Sequence, residues 1–270
     1  MALRNVDLNR CLFHYTNSTC SRCQEICPQQ AIHNRVIDDK KCDNCGLCTA
    51  VCPTGAIQST VDYDTALTAV KNLSPQVLMC QKISPQAMPC LGALNRRLLW
   101  ALAEKQTLSI DTSRCQTCNP EVADWLAAEI AACNTALLEA NKTPIKLVHV
   151  KGPAPKPQVA RRSFFRSLFH AASETAAELA AAQTNRQYAF DPVIWLTRQN
   201  TSPNRLFPRL TLAPNCTACG LCHILCPEKA LAVCQEENQP KLTFNPLKCT
   251  ACGLCLNNCP QAALTLLNNE

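Results

Sequence analysis

Four segments of the chain end on one phrase, Cys-Pro-x-x-Ala followed by Ile or Leu: residues 27–32, 52–57, 226–231 and 259–264. Three of them are led by cysteines at intervals of two: Cys42, Cys45, Cys48 and Cys52; Cys216, Cys219, Cys222 and Cys226; Cys249, Cys252, Cys255 and Cys259. The fourth, Cys20, Cys23 and Cys27, has Asn17 where its first cysteine should stand. Such an internal repeat, used as two pairs, constrains the fold more than any periodicity of apolar residues.

The cysteine count supports this reading. Twenty-two of 270 residues are cysteine and only 5% are aromatic, so something other than a large apolar core must organise the chain. A disulfide scaffold needs a secreted chain, and the opening MALRNVDLNR has no apolar signal region. No run of about 18 apolar residues is present to span a bilayer. A soluble chain in a reducing compartment, the cytoplasm, is the expectation, with thiols kept for metals or catalysis.

Four-thiolate zinc sites also use Cys-x2-Cys pairs. A third cysteine at the same interval plus Cys-Pro, repeated in tandem, goes beyond what zinc asks and favours iron-sulfur clusters. The short intervals wrap one cluster, and the cysteine before proline is directed to the neighbouring cluster of its pair. Gly46, Gly220 and Gly253 sit where backbone must pass close to inorganic sulfide.

Residues 8–60 and 211–266 resemble the bacterial dicluster (2 × 4Fe-4S) ferredoxin family on these motifs. For the C-terminal pair the resemblance implies one cluster on Cys216, Cys219, Cys222 and Cys259, and one on Cys249, Cys252, Cys255 and Cys226. The same crossing gives Cys42, Cys45, Cys48 and Cys27 one cluster in the N-terminal pair. It leaves Cys20, Cys23 and Cys52 a ligand short. Cys11 is the nearby spare, and closing its short loop adds little entropy. A three-iron cluster, or Asn17 as a poor ligand, is the competing reading.

The middle changes character. Residues 75–80, 107–111 and 145–150 read as strands, and 91–105 and 120–140 as helices, which predicts a small parallel sheet with crossover helices. Cys80 and Cys90 follow the first strand, and Cys115 and Cys118 lie in the loop after the second, so all four fall at the carboxyl edge of the sheet. Asn119, Pro120 and Glu121 start the second helix, whose positive end favours an anionic centre there. A fifth cluster, 2Fe-2S or 4Fe-4S, is the preferred reading, against zinc or unmetallated thiols. In cysteine placement the site is similar to the iron-sulfur modules that accompany some hydrogenases and heterodisulfide reductases. Cys133 and Cys234 read as small hydrophobes without a role.

Residues 141–210 hold 11 Lys and Arg against 3 Asp and Glu, so the net charge of +6 is a property of one segment. Residues 151–158 read as a Pro-rich spacer. Residues 159–183 read as an amphipathic helix with Arg161, Arg162 and Arg166 near its start and Phe165, Leu168 and Phe169 on one side. Packing on its own domains, docking on an acidic partner and peripheral membrane contact through 161–182 compete for that helix. Residues 188–210 read as an irregular strap whose Arg198, Arg205 and Arg209 offset cluster charge. No nucleic-acid recognition motif accompanies the basic strip.

The expected fold class is therefore α+β, with two ferredoxin-like modules (1–62 and 211–270) flanking a small α/β domain (63–150) and a linker, basic helix and strap (151–210). Clusters held by cysteine at every corner move electrons and leave no iron open to substrate. The absence of dinucleotide, phosphate-loop or nucleophile-base patterns agrees with that, and His14, His33, His149, His170 and His223 are scattered. The expectation is a polyferredoxin-like electron carrier or electron-transfer subunit between a dehydrogenase, reductase or hydrogenase and another redox protein. An oxidoreductase acting through the middle site, or a redox-sensing regulator, is the alternative. Apolar Ala-(Ile/Leu) walls should push the cluster potentials down.

Overall fold

The computed structural model describes residues 4–15, 19–73, 76–85, 87–150, 190–236 and 239–267. The repeated phrase becomes a repeated topology. Near the N-terminus the strand Arg4–Val6 pairs antiparallel with Ile57–Ser59, and Ile32–His33 pairs with Val36–Ile37 between them. Near the C-terminus Arg209–Leu212 pairs with Leu264–Leu267, and Leu231–Glu236 with Gln239–Phe244. In both, the first and last strands close the lobe around a central hairpin.

Short helices carry the later cysteines of each run. Leu47–Val51, Leu221–Leu225 and Leu254–Asn257 start from Gly46, Gly220 and Gly253 at φ +88°, +83° and +80°. That left-handed corner turns the loop from one cysteine pair into the helix and is disfavoured for residues with a Cβ. The incomplete run differs here. Its helix, Arg22–Glu25, starts from Ser21 at φ −122°, with no left-handed corner.

The middle segment forms a three-stranded parallel sheet, Gln76–Leu78, Leu108–Ile110 and Lys146–Leu147, in chain order. Helices Arg96–Ala103 and Pro120–Glu139 supply its core. Asn95 accepts from the N–H groups of Arg97 and Leu98, and Asn119 from that of Val122. Each cap is worth about 1 kcal/mol. Along the longer helix Val122, Leu126, Ile130, Cys133 and Leu137 recur at helical spacing and are all buried. Cys133 is thus the small buried hydrophobe its sequence context predicts.

Three expectations need correction. The helix expected over 91–105 starts at Arg96, because Leu91–Ala93 forms a separate 3-10 turn before the Asn95 cap. Cys115–Cys118 is a one-turn helix rather than an open loop. Residues 188–210 are not irregular throughout: Asp191 accepts from Val193 and Ile194 N–H groups, Pro192 fills the first turn, and Pro192–Arg198 is helical. The spacer at 151–158 and the basic helix at 159–183 lie outside the described residues.

One core joins these parts. Leu98, Leu99, Leu108 and Ile110 of the middle segment pack with Leu47, Tyr63 and Leu67 on one side. Phe190, Trp195, Leu196, Leu206 and Phe207 join the same core. A fully buried Leu or Phe contributes about 1.5–3 kcal/mol. The hairpin cores of the lobes are small by comparison: Ile32, Cys48 and Ile57 in one, Leu231, Leu242 and Leu264 in the other. These lobes need their cysteines for more than packing.

Candidate metal centres

Cys11, Cys20, Cys23 and Cys52 line one cavity of about 180 Å³, walled by Val6, Leu12, Ile32, Ala56 and Ile57. Cys11 is brought there by the turn it opens, Leu12–His14, with its own N–H donating to the Asp7 carbonyl at 3.0 Å. Asn17 lies outside the described residues. Burial first, then Cys52, Cys48, Cys20 and Cys11, push the Cys23 thiol up to about 12.

Members of the other sets also lie together. Cys48 feels Cys42 and Cys27 and is pushed up to about 11, burial being the largest cause. Cys226, Cys249, Cys252 and Cys255 line a second, tighter cavity of about 20 Å³ with Leu210, Leu231 and Leu254. Burial, then Cys252, Cys249, Cys226 and Cys222, push Cys255 up to about 12. Cys222 is raised by burial and then by Cys219 and Cys216, while Cys222 and Cys259 pack on the small C-terminal core. In the middle segment burial, then Cys80, Cys90 and Cys118, push Cys115 up to about 12. Cys118 is exposed, and its proximity raises the Lys82 ammonium above its ordinary value. Cys234 is not the small buried hydrophobe expected: it is exposed on the Leu231–Glu236 strand, donates to the Lys241 carbonyl at 3.4 Å and joins no set.

Clustered, raised thiols retain their protons unless a positive centre replaces them, which is the condition metal ligation supplies. Among the described residues no three Cys, His, Asp or Glu are gathered as for a single ion. Around the larger cavity the cysteines ring a volume greater than a single ion fills. That donor set suits a polynuclear iron-sulfur centre better than one tetrahedral zinc, which draws each sulfur to about 2.3 Å.

The recurring alanine has a role beyond its methyl group. Ala31, Ala56, Ala230 and Ala263 donate backbone N–H to Cys27, Cys52, Cys226 and Cys259 sulfurs at 3.3, 3.2, 3.2 and 3.4 Å. The residue before each alanine, Gln30, Gly55, Lys229 or Ala262, has φ between +46° and +58°, which turns the N–H back onto the sulfur. All four alanines are buried. Burial lowers a cluster potential and N–H···S bonds raise it, so the phrase carries both influences. The repeated Ala was visible; its backbone bond was signalled only by Gly55.

Two of the three strap arginines pair with carboxylates. Arg198 lies 3.6 Å from Asp64 and Arg205 2.5 Å from Glu139, while Arg209 is exposed. The cations nearest the cysteines are others: Arg4 beside Cys42 and Cys48, Arg35 beside Cys11, Lys82 beside Cys118, and Arg97, whose Nη1 donates to the Cys249 carbonyl at 2.7 Å. His223 is tied through Nδ1 to the Leu231 carbonyl at 2.6 Å.

Two of the cysteine sets lie close together across the segments. A Cβ on Gly92, two residues after Cys90, would lie 2.5 Å from the Cys45 carbonyl oxygen, so backbone touches backbone between the second and middle cysteine sets. Asn119 Nδ2 donates to Asp43 at 2.8 Å along the same seam. Arg10 bridges Asp191 at 2.7 Å and Glu228 at 3.0 Å, tying the C-terminal lobe to the rest.

Loops of this construction recur in two lobes of like topology, and each lobe is similar to an iron-sulfur-binding segment. A family model described as the LdpA Fe-S cluster-binding domain matches residues 17–63, and one described as a 4Fe-4S dicluster domain matches residues 215–263. No curated protein matches the chain. Among the described residues no helix is long and apolar enough to cross a membrane.

Proposed function

We propose that this chain is a cytoplasmic, polyferredoxin-like electron relay, with domains at 1–62, 63–150, 151–210 and 211–270. The assigned 4Fe-4S sets are Cys11, Cys20, Cys23 and Cys52; Cys42, Cys45, Cys48 and Cys27; Cys216, Cys219, Cys222 and Cys259; and Cys249, Cys252, Cys255 and Cys226. A fifth iron-sulfur centre is assigned to Cys80, Cys90, Cys115 and Cys118. The observation that carries the reading is the cavity shared by Cys11, Cys20, Cys23 and Cys52, which gathers a ligand set dispersed over 42 residues of sequence.

A seated cluster takes up and releases one electron at a time. The chain's own residues do the rest. Thiolates hold the centre, Ile32, Ile57, Leu231 and Leu264 exclude water, and the four alanine N–H groups hold the sulfur atoms of the proline-flanked cysteines. The Cys45–Gly92 seam supports transfer between the N-terminal lobe and the middle centre, and the Arg97–Cys249 bond supports docking of the C-terminal lobe. A dehydrogenase, reductase or hydrogenase at one end and a second redox protein at the other are the partners this wiring fits.

Exposed Cys118 under Lys82 favours a second reading, in which the middle centre itself meets a substrate or partner. The two separate on Cys90→Ser: a relay loses one centre's signal and slows throughput, whereas an enzyme loses turnover while the terminal centres keep their spectra. The primary test is dithionite titration of anaerobically purified chain. Reversible bleaching with EPR signals from several reduced clusters is the expected result; an iron-free chain, or iron that does not reduce, would sink the relay.

A further inference from the structure

Arg4 is 2% exposed, and among the described residues no carboxylate pairs with it. Its Nη1 donates to Thr49 Oγ1 at 2.7 Å. Its Nη2 donates to the Tyr63 hydroxyl at 3.0 Å and the Asn44 carbonyl at 3.3 Å. The guanidinium carbon lies 5.7 Å from the Tyr63 ring centre, and Nε is buried without a partner. Hydrogen bonds to neutral groups satisfy donors but do not balance a charge. A buried cation without a counter-ion costs several kcal/mol. The groups beside it that can turn anionic are the Tyr63 hydroxyl, which burial pushes up to about 12, then Cys48 and Cys42, and its hydrogen-bond partners Thr49 and Asn44 directly flank Cys48 and Cys45.

The other lobe supplies an internal control. Asp7 N–H donates to the Ala56 carbonyl and Ala213 N–H to the Ala263 carbonyl, so the two outer strand pairs superpose in register. Arg4 faces Ser59 in one; at the same place Leu210 faces Leu266 in the other. Counting from the aligned cysteines, Thr49 corresponds to Leu256. Leu210 and Leu266 line the cavity of Cys226, Cys249, Cys252 and Cys255, and Leu256 packs on the same small core. One scaffold thus has a cationic, hydrogen-bonding floor of Arg4, Thr49 and Ser59 in one lobe and a floor of three leucines in the other.

We infer that Arg4 is the built-in counter-ion of the centre on Cys27, Cys42, Cys45 and Cys48, and makes that centre the electron sink of the chain relative to its counterpart on Cys226, Cys249, Cys252 and Cys255. This rests on the cluster assignment above. A fixed positive charge in a poorly solvated site favours the added electron, and a leucine floor penalises it. Electrons entering through the C-terminal lobe then settle beside Tyr63 and the Gly92 seam, next to the middle centre. Arg4 acts through the field it places on the cluster and is a positioning residue for the electron.

Potentiometric titration of the anaerobic full-length chain, followed by EPR, tests this with Arg4→Gln and Arg4→Lys. Arg4→Gln should weaken reduction of one cluster at least tenfold, a fall of about 59 mV in its one-electron midpoint, and leave the others in place. Arg4→Lys, which keeps the charge, should retain most of the wild-type midpoint. Unchanged midpoints in an Arg4→Gln chain with full iron content would overturn the inference, as would an equal shift in Arg4→Lys. Should Arg4→Gln not hold its iron, Cys45→Ala and Cys252→Ala decide: the signal lost in Cys45→Ala should have the higher midpoint of the two, and the reverse order refutes the assignment. Iron missing from the wild-type chain would refute the relay instead, a result distinct from all of these.

Discussion

Replacing Cys52 with Ala will remove the centre shared with Cys11, Cys20 and Cys23 and leave Cys42, Cys45 and Cys48, its neighbours in sequence, holding theirs. The expected loss is about four iron atoms per chain, with one reduced-cluster signal gone. Cys27→Ala should do the opposite, emptying the site of Cys42, Cys45 and Cys48 while that of Cys11 persists. The asymmetry follows from the cavity that Cys52 lines and from the placement of Cys27 beside Cys48. The core of this lobe is three buried residues, so each variant should also destabilise it, since ligation and folding are coupled. Iron analysis and EPR spin counts on both variants check the point. If Cys52→Ala spares the signal of Cys11, Cys20 and Cys23 and removes that of Cys42, Cys45 and Cys48, the ligands do not cross.

The second large effect is expected at Gly92. A side chain there meets the Cys45 carbonyl oxygen at 2.5 Å on one side and Val122 Cγ2 at 3.1 Å on the other. Neither backbone nor helix can step aside alone, so Gly92→Val must part the Cys90–Ala93 turn from the Cys45–Gly46 loop. Overpacking of this kind costs about 1–3 kcal/mol. Thermal unfolding should shift accordingly. The magnetic interaction between the N-terminal and middle centres, read from EPR relaxation, should weaken. A variant within about 0.5 kcal/mol of wild type, with that interaction intact, would show that the seam is not a close contact.

The cysteine grammar was enough to anticipate paired lobes because each interval of two residues is a local geometric instruction. The parallel sheet was also legible, since short apolar strands alternate with Asn-capped helices at Asn95 and Asn119. Cys11 could be selected by elimination, because a short loop returns at small entropic cost. The rest depended on long-range packing. Arg4 looked like an ordinary basic residue near a terminus, and its burial is decided by Tyr63 and Thr49, 59 and 45 residues away. The partners of Arg198 and Arg205 escape a sequence reading because Asp64 and Glu139 are distant in sequence and near in space. The Asp191–Pro192 start of a helix was visible but hidden in a stretch rich in Pro and Asn. Gly92 gave no sign of its contact, because the surface it fits belongs to another segment.

The most direct measurement is iron and acid-labile sulfide per chain, with zinc, on anaerobically purified full-length protein. Four cubanes and a fifth centre predict about 20 iron with matching sulfide, or about 18 if the middle centre is 2Fe-2S, and no stoichiometric zinc. Zinc near one ion per four cysteines, or iron without sulfide, would contradict the account at its base.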